Sequence, residues 1–217
     1  MKNDITDITA VMLDLDGTVF DSVELWHEID NIFLGKRGIA PSYEYKHGIA
    51  ALGFTASAYY TIDFYKLSDT PEQLMNEWNE LAAKAYAEDI KLLDGAREYI
   101  EKCRADGKII TAVTSLHRSF AESCMKNNGI FDMFDKIFTA DETGLAKASP
   151  DIYIHAAKTV GADPYRCMAF DDVAAAIISA KRAGMTTVAM DGKMLDRNAV
   201  KDYADFIVKG WNDAPNI

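Results

Sequence analysis

Cysteine, proline and basic residues are all scarce in this chain of 217 residues, and each scarcity excludes something. The three cysteines, Cys103, Cys124 and Cys167, form no C-x-x-C pair and their odd number cannot all pair within one chain, so a reduced compartment is expected. They read as small apolar residues without chemistry. With 13 Gly and 5 Pro the chain is neither collagenous nor low-complexity, and 49% hydrophobic residues with 11% aromatics give a globular composition. Only 23 Lys and Arg oppose 34 Asp and Glu, and a net charge of −11 repels phosphate backbones at long range. No stretch approaches the ~18 apolar residues of a membrane span, and the opening MKNDITDITA is charged where a secretory signal is apolar. The expectation is a cytoplasmic protein that binds neither nucleic acid nor membrane.

What is present is a cadence. From about residue 94 onward, helical stretches alternate with short β-prone runs, and Gly107, Gly129, Gly161 and Gly184 fall where helix C-caps belong. The runs Ile109–Thr114, Lys136–Thr139, Cys167–Phe170, Thr187–Met190 and Phe206–Val208, joined by Ala10–Leu13, are short and apolar, as suits strands buried on both faces of a parallel sheet. Between Ala10–Leu13 and Ile109–Thr114 lies a stretch of roughly 70 residues without a convincing strand, too long for an ordinary crossover, which makes it an inserted subdomain. Its clearest helix starts at Thr70-Pro71-Glu72-Gln73, a capping box with proline in the first turn. Leu74, Trp78, Leu81 and Ala85 then share one face. Helical patterns also cover 22–34 and 55–65, whereas 35–53, with four glycines and a proline, carries no assignable pattern.

The first strand runs straight into Asp14-Leu15-Asp16-Gly17-Thr18, so two carboxylates leave the carboxyl end of a buried strand one residue apart. In an open parallel sheet that edge binds ligands, although Asp, Gly and Thr are also ordinary turn residues. Three further segments follow in order: the apolar strand Ile109-Ile110-Thr111-Ala112-Val113-Thr114 with Ser115 behind it, the segment Lys147-Ala148-Ser149-Pro150-Asp151, and Met168-Ala169-Phe170-Asp171-Asp172.

In order and spacing these four segments resemble the motifs of the haloacid dehalogenase superfamily, in the β-phosphoglucomutase/phosphatase-like branch of its helical-cap subclass. Ala148 departs from the proline usual after the motif lysine. The resemblance implies an α/β fold, a Rossmann-like parallel sheet core over residues 1–20 and 91–217 with an inserted α-helical cap subdomain over 21–90. It implies that Asp14 is the nucleophile, that Asp16 exchanges protons with the leaving oxygen and the attacking water, and that Gly17, Thr114, Ser115 and Lys147 bind the phosphoryl group. It further implies that Asp14, the carbonyl of Asp16, Asp171 and Asp172 hold Mg²⁺. These parts suit phosphoryl transfer, which needs positioning, charge neutralisation and an activated nucleophile.

The expected activity is therefore hydrolysis of a small phosphorylated metabolite, such as a sugar phosphate, by a monomeric Mg²⁺-dependent phosphatase. Trp26 and His27 on the first inserted helix, and Tyr43, Lys46 and His47 after it, are the candidates for reading the substrate. His117 and His155 are assigned to a helix start and a helix interior. A phosphomutase is the alternative; it needs a cationic cap residue for a second phosphate, and the stretch Ile49-Ala50-Ala51-Leu52 contains no arginine. Phosphonate cleavage, which requires a cap lysine such as Lys36 or Lys46, and a non-catalytic binding role stand further back. Dehalogenation is disfavoured because it dispenses with the second acid that Asp16 supplies.

Overall fold

A computed structural model describes residues 5–49 and 52–217. Six parallel strands form one sheet: β1 (Ala10–Leu13), β2 (Ile109–Thr114), β3 (Lys136–Thr139), β4 (Cys167–Asp171), β5 (Thr186–Met190) and β6 (Phe206–Val208). Their order is β3-β2-β1-β4-β5-β6. β1 sits in the middle, with Leu13 opposite Ala112 of β2 on one side and Phe170 of β4 on the other. The strand order reverses there, and a crevice opens beyond the carboxyl ends of the strands at such a point.

Side chains of β1 alternate between two cores. Val11 and Leu13 join one apolar cluster, and Ala10 and Met12 join the other. This burial of both faces is why the strand reads as an unbroken apolar run. The helices α1 (Val23–Gly35), α2 (Tyr43–Ile49), α3 (Phe54–Tyr65) and α4 (Pro71–Lys84) all lie between β1 and β2, and α4 runs into a π-helical turn over Ala85–Asp89. The remaining helices are α5 (Ala96–Ala105), α6 (Arg118–Asn127), α7 (Ala140–Thr143), α8 (Pro150–Thr159), α9 (Ala174–Arg182) and α10 (Arg197–Val200).

Local rules explain the helix boundaries. The capping box of α4 forms in both directions, Gln73 N donating to Thr70 Oγ1 at 3.3 Å and Thr70 N to Gln73 Oε1 at 2.8 Å. The segment without a sequence pattern, 35–53, contains α2. β4 runs one residue further than the apolar pattern, to Asp171, and β5 begins one earlier, at Thr186. The two connections between the sheet and the insertion run side by side, tied by Asp21 N donating to Lys91 O and Leu93 N to Val19 O, both at 2.9 Å.

Candidate active site

The carboxyl ends of β2, β1 and β4 bring the four sequence motifs to one place. Asp14 follows β1 directly, Thr114 and Asp171 are the last residues of their strands, and Lys147 enters from the loop between α7 and α8. Asp14, Thr114, Lys147, Asp171 and Asp172 are all buried. Lys147 Nζ lies 2.6 Å from Asp14 Oδ1 and 2.6 Å from Asp171 Oδ2. Burial opposes its charge, but the two carboxylates outweigh that and hold it well above the ordinary lysine range. Gly17 has φ +74°, and a Cβ there would collide with the Asp172 carboxylate, so both conformation and space demand glycine.

Three acids against one lysine leave a buried negative excess. Burial, followed by the neighbouring carboxylates, drives Asp172 well above its usual range, and burial raises Asp171 as well. The carboxylates of Asp14, Asp171 and Asp172 each offer an oxygen within 4.8 Å of the others. Such a hard, oxygen-only set fits Mg²⁺, whose charge would balance the excess.

Asp16 is held differently. Its carboxylate accepts from Ser22 Oγ at 2.5 Å, Tyr86 OH at 2.6 Å and Trp26 Nε1 at 3.2 Å. Trp26 Nε1 also donates to Tyr86 OH at 2.6 Å. Burial pushes Asp16 up to about 6, against the pull of these hydrogen bonds. Ser22 precedes α1 but does not cap it, because its hydroxyl serves Asp16 instead. Thr114 Oγ1 accepts from Leu116 N at 3.1 Å, leaving its proton free, and the buried Ser115 hydroxyl has no partner among the described residues. Thr114 and Ser115 line a pocket shared with Asp14, Asp16, Lys147 and Asp172.

The pattern of haloacid dehalogenase-like hydrolases matches residues 8–184. The chain belongs to this family. YhcW of Bacillus subtilis (strain 168), provisionally named a phosphatase, is 29% identical over 198 residues, covering 90% of this chain and 89% of that one. Hexitol phosphatase B of Escherichia coli (strain K12) is 23% identical over 184 residues, 83% of this chain and 82% of its own. The crystal structure of β-phosphoglucomutase from Clostridium difficile shares the fold with a TM-score of 0.77 at 20% identity, covering 96% of this chain and 93% of that one. As an enzyme, this haloacid dehalogenase-like chain is a phosphoric monoester hydrolase.

In this hydrolase residues of the inserted helices line, together with Asp14, Thr114 and Lys147, a cavity of about 170 Å³. Trp26, His27 and Lys46 line it. Tyr43 and His47 do not belong to its wall: Tyr43 is 70% exposed, and the two rings pack on each other 4.1 Å apart. They stand four residues apart on the outward face of α2, which turns Tyr45 inward instead. Lys36 is paired with Glu77 at 2.6 Å, away from the pocket wall, and is no candidate for a Schiff base. His117 N-caps α6, with its ring 5.6 Å from Phe54, and His155 lies within α8. The three cysteines are free and buried, which pushes Cys103 up to about 11 and Cys124 and Cys167 to about 12, far from reactive.

Sequence reasoning missed Tyr86, Asp30 and Trp78. Tyr86 is fully buried on the π-helical turn 70 positions from Asp16, a separation across which periodicity carries no signal. Asp30 and Trp78 line the cavity from α1 and α4. Trp78 was legible only as an apolar stripe residue, and Asp30 would have stood out only as an acid on the inward face of α1. Among the described residues no helix is long and apolar enough to cross a membrane.

Proposed function

We propose that the chain hydrolyses a small phosphate monoester, a sugar phosphate or a metabolite of similar size, in two steps through an aspartyl-phosphate on Asp14, with Mg²⁺ as cofactor. The observation that carries this reading is the pairing of two differently held carboxylates at one pocket: Asp14 on Lys147, and Asp16 on three hydroxyl and indole donors. Lys147 engages Oδ1 of Asp14, leaving Oδ2 to attack phosphorus. As the new P–O bond forms, the ester P–O bond breaks and the leaving oxygen takes the proton of Asp16. Water then attacks the phosphoryl group while Asp16 takes its proton, the bond to Asp14 breaks, and phosphate departs. Lys147, with the Thr114 hydroxyl and the Ser115 backbone N–H, meets the negative charge on the transferred group. Asp14, Asp171 and Asp172, with the Asp16 carbonyl, would hold Mg²⁺, which when bound offsets the repulsion between these carboxylates and a phosphate dianion.

Residues 21–90 act in this reading as a cap that closes over the catalytic core of residues 1–20 and 91–217 and excludes water. Asp141 of α7 receives Thr55 N at 3.2 Å and Thr55 Oγ1 at 3.1 Å, a contact that supports such closure. A phosphomutase is the second reading, favoured by Lys46 in the pocket wall, a cation suited to a second phosphate. Of the arginine-free stretch 49–52, Ala50 and Ala51 lie outside the described residues.

The test is phosphate release from a panel of sugar phosphates, nucleotides and phosphoglycolate, with Mg²⁺ or EDTA, beside Asp14→Asn. Metal-dependent release that the substitution abolishes is the expected result. Release that survives Asp14→Asn refutes the aspartyl-phosphate, and interconversion of sugar monophosphates primed by a bisphosphate, without net release, replaces the phosphatase by the mutase.

A further inference from the structure

The catalytic turn of residues 14–18 is tied at both of its ends to one pair of stacked rings. At its start, Asp14 N donates to Phe170 O at 3.0 Å. At its end, Thr18 O accepts from Trp211 Nε1 at 2.9 Å, a buried bond between residues 193 positions apart. The rings of Phe170 and Trp211 stack on each other, 5.0 Å apart and inclined by 25°. Asp14, Phe170, Trp211 and Thr18 thus close a loop around the turn. Phe170 is also the residue before Asp171 and Asp172, so the same stack stands beside the strand end that carries the paired acids.

Trp211 belongs to the 3₁₀ turn Trp211–Asp213 near the end of the chain and is buried. Tyr99 of α5 packs 5.0 Å from its ring and donates from its hydroxyl to Pro215 O at 3.1 Å, which anchors the segment that carries the indole. Gly95 has φ +83°, and a Cβ there would come 3.0 Å from the Trp211 Cβ, so the backbones meet at a distance that only glycine allows. A side chain whose rotamer is locked by packing in this way can hold a catalytic group in place. The turn has slack for such a bond to take up: a cavity of about 410 Å³, lined by Gly17, Asp172 and Trp211 among others, borders it. Thr18 itself is fully buried, so its carbonyl has no water to replace the indole donor.

We propose that Trp211 is a positioning residue for phosphoryl transfer: by holding Thr18 O it fixes the turn that presents the Asp14 carboxylate and the Asp16 carbonyl, while its ring braces that turn against the strand end bearing Asp171 and Asp172. This rests on the phosphatase reading and deepens it. Trp211 touches no reacting atom and acts only through the backbone of the turn. The ladder of β1 ends at Leu13 and fixes where the turn begins, and Trp211 supplies the second fixed point at its far end. A nucleophile misplaced by about 1 Å loses on the order of 10²-fold in rate, so a single lost anchor is enough to be read in turnover.

The experiment measures kcat and KM on the fastest ester of the phosphate-release panel, together with Tm, for the wild-type chain, Trp211→Phe and Tyr99→Phe. Each variant removes one hydrogen bond from the same cluster of three rings, but only the Trp211 bond reaches the turn. Both should lower Tm. At a temperature where circular dichroism shows it fully folded, Trp211→Phe should lower kcat about tenfold with KM within about twofold, whereas Tyr99→Phe should leave both constants within about twofold of wild type. A folded Trp211→Phe with wild-type kcat overturns the assignment, and so does a Tyr99→Phe that loses as much, since the cluster would then matter only as packing. If Trp211→Phe does not fold, replacement of Trp211 by benzothienylalanine, which keeps the double ring and puts sulfur where the N–H stood, decides by the same criteria. If the wild-type chain releases phosphate from none of the esters, the phosphatase reading fails and calorimetric Mg²⁺ affinity without substrate decides the assignment: a weakening of about tenfold or more in Trp211→Phe but not in Tyr99→Phe upholds it. Equal affinity in all three chains, or no Mg²⁺ binding by the wild type, overturns it.

Discussion

Replacing Asp30 by asparagine should stabilise the protein at pH 8 and do almost nothing at pH 4. Burial raises the Asp30 carboxyl from 3.8 to about 6, with the Tyr45 hydrogen bond and the Lys46 charge opposing it. The folded chain thus holds the proton more tightly than the unfolded one, so unfolding releases it between these two pH values and stability falls as pH rises through them. At about 1.4 kcal/mol per pKa unit, the rise is worth about 3 kcal/mol, in full above pH 6 and vanishing toward pH 3.8. Asparagine keeps the size and the acceptor that Tyr45 uses, but has no charge to bury. Urea unfolding of wild type and Asp30→Asn at pH 4 and pH 8 should show a gain of up to about 3 kcal/mol at pH 8 only, or about 6–12 °C in Tm for a chain of this size. A variant less stable than wild type at both pH values, or a gain equal at both, would refute the reasoning. A side chain that costs this much stability at neutral pH is what a site adapted for binding rather than for folding carries.

Lys147→Ala should reduce turnover of every ester by at least about 10²-fold, because it removes charge compensation at the transferred group; any ester that keeps wild-type kcat would contradict its role. Tyr86→Phe preserves the ring stacked 5.1 Å from Phe120 but removes the 2.6 Å hydrogen bond to Asp16. In steady-state kinetics it should lower kcat by about tenfold while KM changes little, and a loss confined to KM would show that the hydroxyl serves binding instead. Asp141→Ala should lower stability by about 1 kcal/mol, because Gly53 at the N-cap of α3 has no side chain and Asp141 supplies the capping oxygen from across the cleft. Thermal melting should register a drop of about 2–4 °C, and an unchanged Tm would mean that Thr55 finds water as good a partner.

The sheet and the convergence of the motif residues were legible in the sequence because their information is local. A strand buried on both faces has no solvent side to encode, so Ala10–Leu13 and Cys167–Asp171 appear as plain apolar runs. Three of the four motifs sit within a residue or two of a strand end, so placing the strands in one parallel sheet brings Asp14, Thr114 and Asp171 together, and Lys147 reaches them from the loop between α7 and α8. The capping box of α4 needs only four consecutive residues. The insertion was legible as helical but not in its facing. One residue turns a helix by about 100°, and in α2 that phase sends Tyr43 and His47 outward while Lys46 reaches the cavity.

The sequence by itself therefore determined the strands, the four motif positions, the helical insertion and the class of chemistry. Only the tertiary structure decided that Tyr86 and Trp26 grip Asp16, that Asp141 caps a helix from the other side of the cleft, and that Asp30 lines the cavity. The physical reason is the range of the interactions. Capping, β-pattern and strand-end placement act between near neighbours in the chain, whereas the Tyr86–Asp16 and Thr55–Asp141 bonds join residues 70 and 86 positions apart, and their partners are chosen only when the insertion packs onto the sheet.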